Sequence, residues 1–347
     1  MKDKVAFITG LNGQDGSYLA ELLLEKNYNV YGIIRRMSLM NTERIDHMIG
    51  HPKFKHFYGD VTDSANLLQL LTKILLNHPS CTLEVYHLAA QSHVKISFEI
   101  PEYTSDVDAM GTLKLLEVCR SLKDTYKLAK HQLKIYIACT SEMYGEVLEV
   151  PQSEKTPFNP RSPYAIAKQF FFYMAKNYRE AYDMFVCNGI LFNHESPRRG
   201  FNFVTRKVTL GLGKILKGEL DCIEMGNLDA VRDWGHAKDF VEAMYLMLQH
   251  DQPDDFVIAT GETHTVREFI EIAFVKKGMP LTWKNNGLEE MGVDSNGITR
   301  IKINPKYYRP TDVIYLQGDA SKAKKELGWS RKISFQEMIE EMLTADT

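Results

Sequence analysis

The chain has 347 residues, enough for one large domain or for two domains that share a boundary. Hydrophobic residues make up 44% and charged residues 25%, as in an ordinary globular protein, and the formal net charge of -3 argues against a nucleic-acid-binding protein. No run of about 18 apolar residues occurs, and the first ten residues lack a signal-peptide core, so we expect a cytoplasmic protein with no membrane contact.

The five cysteines are an odd number and form no C-x-x-C pair. This pattern favours buried thiols in a reducing compartment over disulfides or a zinc site. We therefore expect no bound metal.

The first half of the chain alternates strand-like and helix-like segments. Apolar runs predict strands at residues 5–9, 30–34, 54–58, 85–89, 135–139 and 185–192, and helical patterns lie at 17–26, 65–76 and 112–122. Alternation at this spacing implies right-handed crossovers and a parallel sheet covered on both faces. The predicted class is a Rossmann-type, doubly wound α/β fold.

Beyond Pro197 the segments become shorter and more polar, and residues 285–300 read as a loop-rich stretch. Residues 256–260 still resemble a sheet strand, and 335–343 an amphipathic helix. We expect a first domain at 1–196, to which 233–262 return. A smaller, interleaved substrate domain would contain 197–232 and 263–347.

A glycine-rich turn links the first strand to the first helix, in the sequence GLNGQDG from Gly10 to Gly16. Glycines at such a turn permit close approach of a pyrophosphate, which the helix N-terminus attracts with free N–H groups. Glycine turns are common, so the motif alone is weak. Its strand–turn–helix context favours a dinucleotide site.

The end of the second strand selects between nicotinamide cofactors. An NAD enzyme usually has an acidic residue there, whereas this chain has Arg35 and Arg36. A guanidinium group suits the 2′-phosphate of NADP, although a solvated basic pair is the alternative. Asp60, after the third strand, is placed for the adenine or for stabilising a turn. The small residues of His87–Ser92 would allow the backbone to approach a cofactor, or a helix to pack closely against it.

Tyr164 and Lys168 lie four residues apart and would share one helix face. A nearby positive charge lowers the pKa of a phenol, which lets Tyr act as a base. Y-x-x-x-K alone is often a surface pair. Here Thr140 and Ser141 precede it at the carboxyl end of a predicted strand, where such sheets hold ligands.

With the glycine turn, this pattern resembles the extended short-chain dehydrogenase/reductase superfamily. The resemblance implies that Thr140 binds the reacting oxygen, Tyr164 moves its proton, and Lys168 holds the nicotinamide ribose and lowers the Tyr pKa. Glu142 lies just beyond the same strand. Epimerases and reductases need no acid there, but a dehydratase must remove a proton next to a transient ketone. Glu142 as a solvated loop carboxylate is the alternative.

Longer strings resemble the GDP-mannose 4,6-dehydratase family over nearly the whole chain. They include TGLNGQDGSYLAELLLEK, RRMSLMNTERID, TSEMYGEV, RSPYAIAK, GILFNHESPRRG, FVTRK, RDWGHAKDF and YYRPTDV. The resemblance implies conversion of GDP-mannose to GDP-4-keto-6-deoxy-mannose plus water, with NADP regenerated at each turnover. This would be a first step towards GDP-fucose or another GDP-deoxyhexose.

The same resemblance implies the remaining site residues. His194 and Arg199 would lie near NADP, and Asn193 near the sugar diphosphate. The implied cofactor set is Gly10, Asn12, Gly13, Gln14, Asp15, Gly16, Arg35, Arg36, Asp60, Val61, Leu88, Ala89, Ala90, Ser92, Tyr103, Lys168, His194 and Arg199. The implied substrate set is Ser92, Glu142, Tyr164, Asn193, Lys207, Arg232 and Arg309, and its cations suit a diphosphate.

Two departures from the family pattern stand out. Asp312 replaces the usual Glu, and a longer basic segment at 123–134 replaces a glycine-rich turn and is expected to be a surface loop. The string RRMSLMNTERID resembles a family segment that reaches a neighbouring subunit, which implies a homodimer or homotetramer. A dehydratase for another nucleotide sugar, an epimerase or reductase, and a non-enzymatic NADP sensor are the competing interpretations.

Overall fold

In the computed structural model, which describes residues 3–308, 311 and 313–347, a parallel sheet of seven strands organises the molecule. Its strands are β1 (Lys4–Thr9), β2 (Asn29–Ile34), β3 (Phe54–Tyr58), β4 (Thr82–His87), β5 (Leu133–Thr140), β6 (Phe185–Leu191) and β11 (Asp255–Ile258). They lie in the order β11-β6-β5-β4-β1-β2-β3, and every neighbouring pair is parallel. The order reverses between β1 and β4, which opens a crevice for ligands at their carboxyl ends.

Helices cover both faces of this sheet. In chain order, the α-helices of the described chain, including those on the second sheet, are α1 (Gln14–Glu25), α2 (Ser64–Asn77), α3 (Val94–Glu99), α4 (Pro101–Ser105), α5 (Gly111–Thr125), α6 (Pro163–Ala181), α7 (Val204–Leu216), α8 (Ala237–Gln249), α9 (Val266–Lys276), α10 (Ser321–Leu327) and α11 (Phe335–Asp346). Val5 and Phe7 of β1 face a core shared with α2, α5 and α6, whereas Ala6 and Ile8 face α1 and α8. Period-two alternation with both faces buried explains the continuous apolar runs.

Short strands build a second layer. They are β7 (Asn193–Glu195), β8 (Ile223–Met225), β9 (Val231–Arg232), β10 (Trp234–His236), β12 (His264–Thr265), β13 (Thr282–Lys284), β14 (Met291–Val293) and β15 (Thr299–Ile303). Four of them form a sheet in the order β13-β14-β15-β8. This sheet packs with α7, α9 and α11 around a third apolar core, which includes Leu212, Phe269 and Met338.

The predicted Rossmann-type class is confirmed, and two local expectations hold only in part. Residues 285–300 are not only loop, because β14 and β15 pair antiparallel there. Strands of three to five residues are too short to show a clear period in the sequence. The segment 123–134 is a surface loop only in its middle. α5 continues to Thr125, and Leu133 and Lys134 already belong to β5.

The chain crosses between the two layers several times. β11 returns to the main sheet beside β6, as the sequence suggested for 256–260. α10 also packs on the main sheet, since its Ala323 and the following Trp329 belong to the core formed with α1 and α8. The expected division at 196, 233 and 262 stays a prediction, and it would also have to return residues 320–329 to the first domain.

All five cysteines are free thiols, and four of them are buried. Across the part of the chain that the structure describes, no helix combines the length and apolar character needed to cross a membrane.

Candidate active site

The end of β5 presents the first two predicted catalytic side chains. Thr140 is followed by a 3-10 turn, Ser141–Met143, in which the Glu142 N–H donates to the Thr140 hydroxyl oxygen at 3.2 Å. The turn keeps Glu142 over the strand end, where its side chain is buried. Gly145 then has φ of 57°, and a Cβ there would lie 1.8 Å from the Asn159 carbonyl oxygen, so only glycine fits.

Helix α6 carries the other two predicted catalytic side chains, Tyr164 and Lys168. Ser162 accepts a hydrogen bond from the Ala165 N–H at 3.1 Å, and Pro163 occupies the first helical position, so the helix start is well defined. Tyr164 and Lys168 follow one turn apart on the buried face. The Lys168 ammonium donates to the Ala138 carbonyl in β5 at 3.0 Å, which joins the helix to the strand carrying Thr140.

Burial dominates the titration of this pair. It raises the pKa of Tyr164, and the charges of Asp108 and Glu142 raise it further, while a hydrogen bond from Thr140 and the charge of Arg199 oppose them. Burial also lowers the pKa of Lys168. The expected lowering of the Tyr164 pKa by Lys168 is therefore not seen in the protein alone. A further positive charge beside Tyr164 would act in the opposite direction and lower its pKa.

The glycine turn has the form of a pyrophosphate cradle. Gly10 has φ of 71°, and its Cβ would lie 2.9 Å from the backbone nitrogen of Ala89. A Cβ on Gly16 would lie 2.2 Å from the Gly10 carbonyl oxygen. Gly13 precedes α1 with no side-chain cap, so the first N–H groups of the helix remain available to a ligand. These features fit a dinucleotide.

Asp15 puts a negative charge beside that cradle, and His194 neutralises it. The Asp15 carboxylate lies 2.9 Å from His194 Nε2, while His194 Nδ1 donates to the Phe192 carbonyl at 2.8 Å. Both ring nitrogens thus carry protons in the ion pair. Burial opposes each charge, but the pair still raises the pKa of His194 and lowers that of Asp15. Gln14 donates to the His194 carbonyl at 3.0 Å and so joins α1 to β7.

A buried hydrogen-bond chain aligns the neighbouring backbone. The Thr112 hydroxyl donates to the Asp108 carbonyl at 2.7 Å and lies 2.8 Å from His87 Nε2. His87 Nδ1 lies 2.9 Å from the Thr9 oxygen, which accepts the N–H groups of Leu88 and Ala89 at 3.1 Å each. Burial lowers the pKa of His87 to about 3, so the ring is neutral. Because the Thr112 hydroxyl already donates to Asp108, it accepts from His87, and the single ring proton therefore lies on Nε2.

The predicted 2′-phosphate residues lie on the surface near the glycine turn. Arg35 and Arg36 are exposed, and they line a depression that also includes Asn12 and Tyr58. Arg35 donates to the hydroxyl of Tyr103, another residue of the implied cofactor set.

Other implied cofactor residues follow the carboxyl ends of β3 and β4 in the main sheet. The Asp60 carboxylate accepts from the Thr62 N–H at 2.9 Å and the Thr62 hydroxyl at 2.8 Å, which is the turn-stabilising role. Val61 is buried beside Gly111, Leu88 to Ala90 are half-buried, and Ser92 is exposed.

The implied substrate residues come from several elements. Asn193 starts β7, and its buried side-chain oxygen has no hydrogen-bond partner in the described chain. Lys207 in α7 lies 3.2 Å from the ring centre of Tyr307, and burial lowers its pKa to about 8. Arg232 is buried and donates to the Val231 carbonyl at 2.9 Å. Arg309 and Asp312 lie outside the described residues.

Arg199 is the last cation of the implied set, and its guanidinium lies 3.1 Å from Glu195. The sequence analysis missed Asp108, a buried carboxylate whose charge acts on both Tyr164 and Lys168. It also missed the ring of Tyr307 under Lys207. Tyr307 begins the string YYRPTDV, but no spacing rule pairs it with Lys207, or Asp108 with Lys168, and only the folded chain brings them together.

The fold and this arrangement define an enzyme of the extended short-chain dehydrogenase/reductase type. Solved structures agree on the fold. UDP-glucose 4-epimerase from Thermus thermophilus, in complex with NAD, superposes with a TM-score of 0.78 at 25% identity, covering 99% of this chain and 98% of that one. dTDP-glucose 4,6-dehydratase from Bacillus anthracis str. Ames, also with NAD, gives 0.78 at 21% identity over 99% and 96%.

Sequence comparison narrows the class to one family. The family model for GDP-mannose 4,6 dehydratase matches residues 7–342. GDP-mannose 4,6 dehydratase of Drosophila melanogaster is 55% identical over 99% of this chain and 86% of its own length. The Homo sapiens protein is 52% identical over 99% and 91%, and that of Vibrio cholerae serotype O1 is 52% identical over 100% and 94%. The chain belongs to the GDP-mannose 4,6-dehydratase family.

Proposed function

We propose that the protein converts GDP-mannose to GDP-4-keto-6-deoxy-mannose and water, using NADP. Family membership supports the reaction, and the observation that carries it in the structure is the position of Glu142. The backbone N–H of Glu142 is bonded to Thr140 at the end of β5, the side chain is buried, and its charge raises the pKa of Tyr164. An epimerase or reductase has no use for such a base, whereas a dehydratase requires one.

The residues present fit a nicotinamide dinucleotide. Glycines 10 and 16 leave no room for side chains at the turn, and the start of α1 is open. Arg35 and Arg36 favour NADP over NAD, because a guanidinium pairs well with a phosphate. When bound, the cofactor would supply the hydride acceptor and donor, together with the positive charge of its oxidised ring.

Proton movements can be assigned to the chain itself. Tyr164 takes the proton of the hydroxyl on carbon 4 as that carbon is oxidised, and Thr140 positions the reacting oxygen. The new ketone acidifies carbon 5, from which Glu142 removes a proton and passes it to the hydroxyl leaving carbon 6. Carbon 5 is then protonated again with the proton that Tyr164 took from the hydroxyl on carbon 4. One proton thus leaves in the water and the other returns to the sugar, so both residues end as they began.

Substrate binding is assigned to the basic groups opposite the cofactor. Lys207 and Arg232 would bind the diphosphate, and the unpartnered oxygen of Asn193 would accept from the sugar or nucleotide. The negative charge of a bound diphosphate would raise the pKa of Lys207 and so offset the lowering caused by burial. Arg309 and Ser92 complete the proposed set.

A homodimer or homotetramer in a reducing, cytoplasmic setting is part of the same proposal. Leu39 and Met40 in the RRMSLMNTERID segment are 81% and 73% exposed, which supports contact with a second copy. The free thiols support the compartment.

Replacement of Glu142 by Gln tests the dehydration step. We expect kcat for loss of water to fall by about 100- to 10,000-fold, because an amide cannot accept the carbon 5 proton, while NADP binding stays unchanged. The measurement is mass spectrometry of GDP-mannose incubated with catalytic NADP.

Glu146→Gln is the matched control, since Glu146 is an exposed carboxylate on the same loop, 3.5 Å from Arg161. Full activity in Glu142→Gln would remove Glu142 from the mechanism. Turnover of dTDP-glucose, UDP-glucose or CDP-glucose instead of GDP-mannose would preserve the chemistry and overturn the substrate. Inactivity on all four sugars would overturn the dehydratase assignment.

A further inference from the structure

Asp108 is a buried carboxylate that the proposed mechanism does not use. It lies in a π-helical turn, Asp106–Met110, between α4 and α5, and is 1% exposed. A π turn inserts an extra residue into the helical path, and such turns are frequent at functional sites. Asp106, two residues earlier in the same turn, is exposed.

The two oxygens of Asp108 have different environments. Oδ1 accepts the backbone N–H of Gln91 at 2.7 Å. Oδ2 is buried, and no group in the described chain donates a hydrogen bond to it. A buried anion with one unbonded oxygen costs free energy unless a positive charge lies near.

Lys168 is the cation whose charge acts on Asp108, and it opposes the burial that raises the pKa of this carboxyl to about 6. The π turn packs against α6, and Asp108 and Lys168 lie close enough for each charge to affect the titration of the other. The Lys168 ammonium uses one of its three N–H groups on the Ala138 carbonyl. The other charged or titratable groups acting on Lys168, Tyr164 or Asp108 are Cys139, Glu142, Arg199 and the neutral His87.

We propose that Asp108 is the counterion of Lys168, a positioning residue that keeps the buried ammonium charged at the end of β5. The inference rests on the proposed roles of Tyr164 and Lys168. Burial alone would favour a neutral lysine amine, which could neither support a phenolate nor hold a ribose as a cation. Asp108 opposes this loss of charge without touching the substrate.

A structural role gives a different expectation. If Asp108 only accepted the Gln91 N–H, an Asn side chain would serve as well, because its oxygen accepts the same bond at nearly the same shape. Asp108→Asn therefore separates the loss of charge from the loss of the hydrogen bond.

The experiment compares Asp108→Asn with Asp106→Asn and the unmodified enzyme. With saturating NADP, kcat/KM for GDP-mannose is measured across pH, and NADP dissociation constants are measured by titration calorimetry at low and high pH. In the Asp108→Asn variant, we expect the alkaline limb of the kcat/KM profile to move to lower pH by about one unit or more. NADP affinity should fall about tenfold further at the alkaline end than at the acidic end. Asp106→Asn should match the unmodified enzyme, and Asp108→Glu should recover part of the shift.

An unshifted alkaline limb in a folded Asp108→Asn variant would overturn the proposal. If that variant does not fold, acetylation of the unmodified enzyme across pH, read on the Lys168 peptide by mass spectrometry, decides instead. Protonation of Lys168 up to at least about pH 9 supports the proposal, and loss of its proton below about pH 8 contradicts it. If GDP-mannose is not turned over at all, the proposed function fails, while NADP binding across pH still tests Asp108.

Discussion

Arg35 and Arg36 are the residues on which the choice between NADP and NAD is expected to depend. Both are exposed beside the glycine turn, so each guanidinium is accessible to a ligand from solvent. Exposure also means that their removal leaves no buried group unpaired. Their effect should therefore appear in binding and not in folding.

Arg35→Ala and Arg36→Ala should each weaken NADP binding by about 10- to 100-fold and leave NAD binding nearly unchanged, because only NADP carries the 2′-phosphate. Fluorescence titration with both cofactors measures the ratio. Lys73→Ala, which removes an exposed charge on α2, is the control. An equal loss for both cofactors would assign the arginines to a general basic surface.

At the scale of elements, the pair Asp15–His194 joins α1 to β7 beside the glycine turn. The pKa of His194 is raised from 6.5, so its contribution to stability is complete below about pH 6.5 and is lost as pH rises through the folded value. The pKa of Asp15 is lowered from 3.8, so its contribution holds above that value and is lost as pH falls through the folded one. The pair therefore stabilises the fold most between these limits.

Asp15→Asn should consequently lower Tm more at about pH 6 than at about pH 9, with a destabilisation on the order of 1 kcal/mol at the lower pH. Thermal unfolding followed by circular dichroism checks this. Asp3→Asn removes an exposed carboxylate 3.1 Å from His78 and should show no comparable difference. A loss of Tm that is equal at both pH values would argue against the ion pair.

At the scale of the whole molecule, Asp233 holds the two interleaved layers together. It is fully buried and accepts the N–H and hydroxyl of Thr260 at 2.8 and 2.7 Å, and the N–H of Gly261 at 2.8 Å. A weaker bond comes from the Gly318 N–H at 3.3 Å. One carboxylate thus joins the end of β11, the strand region carrying Arg232, and the segment that leads to α10.

Asp233→Ala should destabilise the protein by about 3 kcal/mol or more, because several buried donors lose their acceptor. Urea unfolding measures this loss. Where the variant remains folded, KM for GDP-mannose should rise more than kcat falls, since Arg232 is the adjacent residue. Asp229→Ala removes an exposed partner of Arg267 and is the control. Unchanged stability in Asp233→Ala would show that the layers do not depend on this carboxylate.

The sequence alone was sufficient for the doubly wound class, because buried parallel strands and amphipathic helices have periods visible in short windows. It was also sufficient for the family, because long strings such as GILFNHESPRRG match at consistent spacing. Tyr164 and Lys168 could be paired from sequence, since four residues span about one helical turn. The short strands β14 and β15 could not be predicted, because they form by pairing with each other and have no clear local sequence pattern.

Only the tertiary structure decided which charges act on one another. Asp108 is 60 positions from Lys168 in the sequence, and Asp15 is 179 from His194, so neither pair could be read from spacing. Tyr164 shows the same limit in its pKa, because burial outweighs the effect expected from a lysine one turn away. Local periodicity specifies elements, whereas burial and electrostatic pairing depend on distances that exist only in the folded chain.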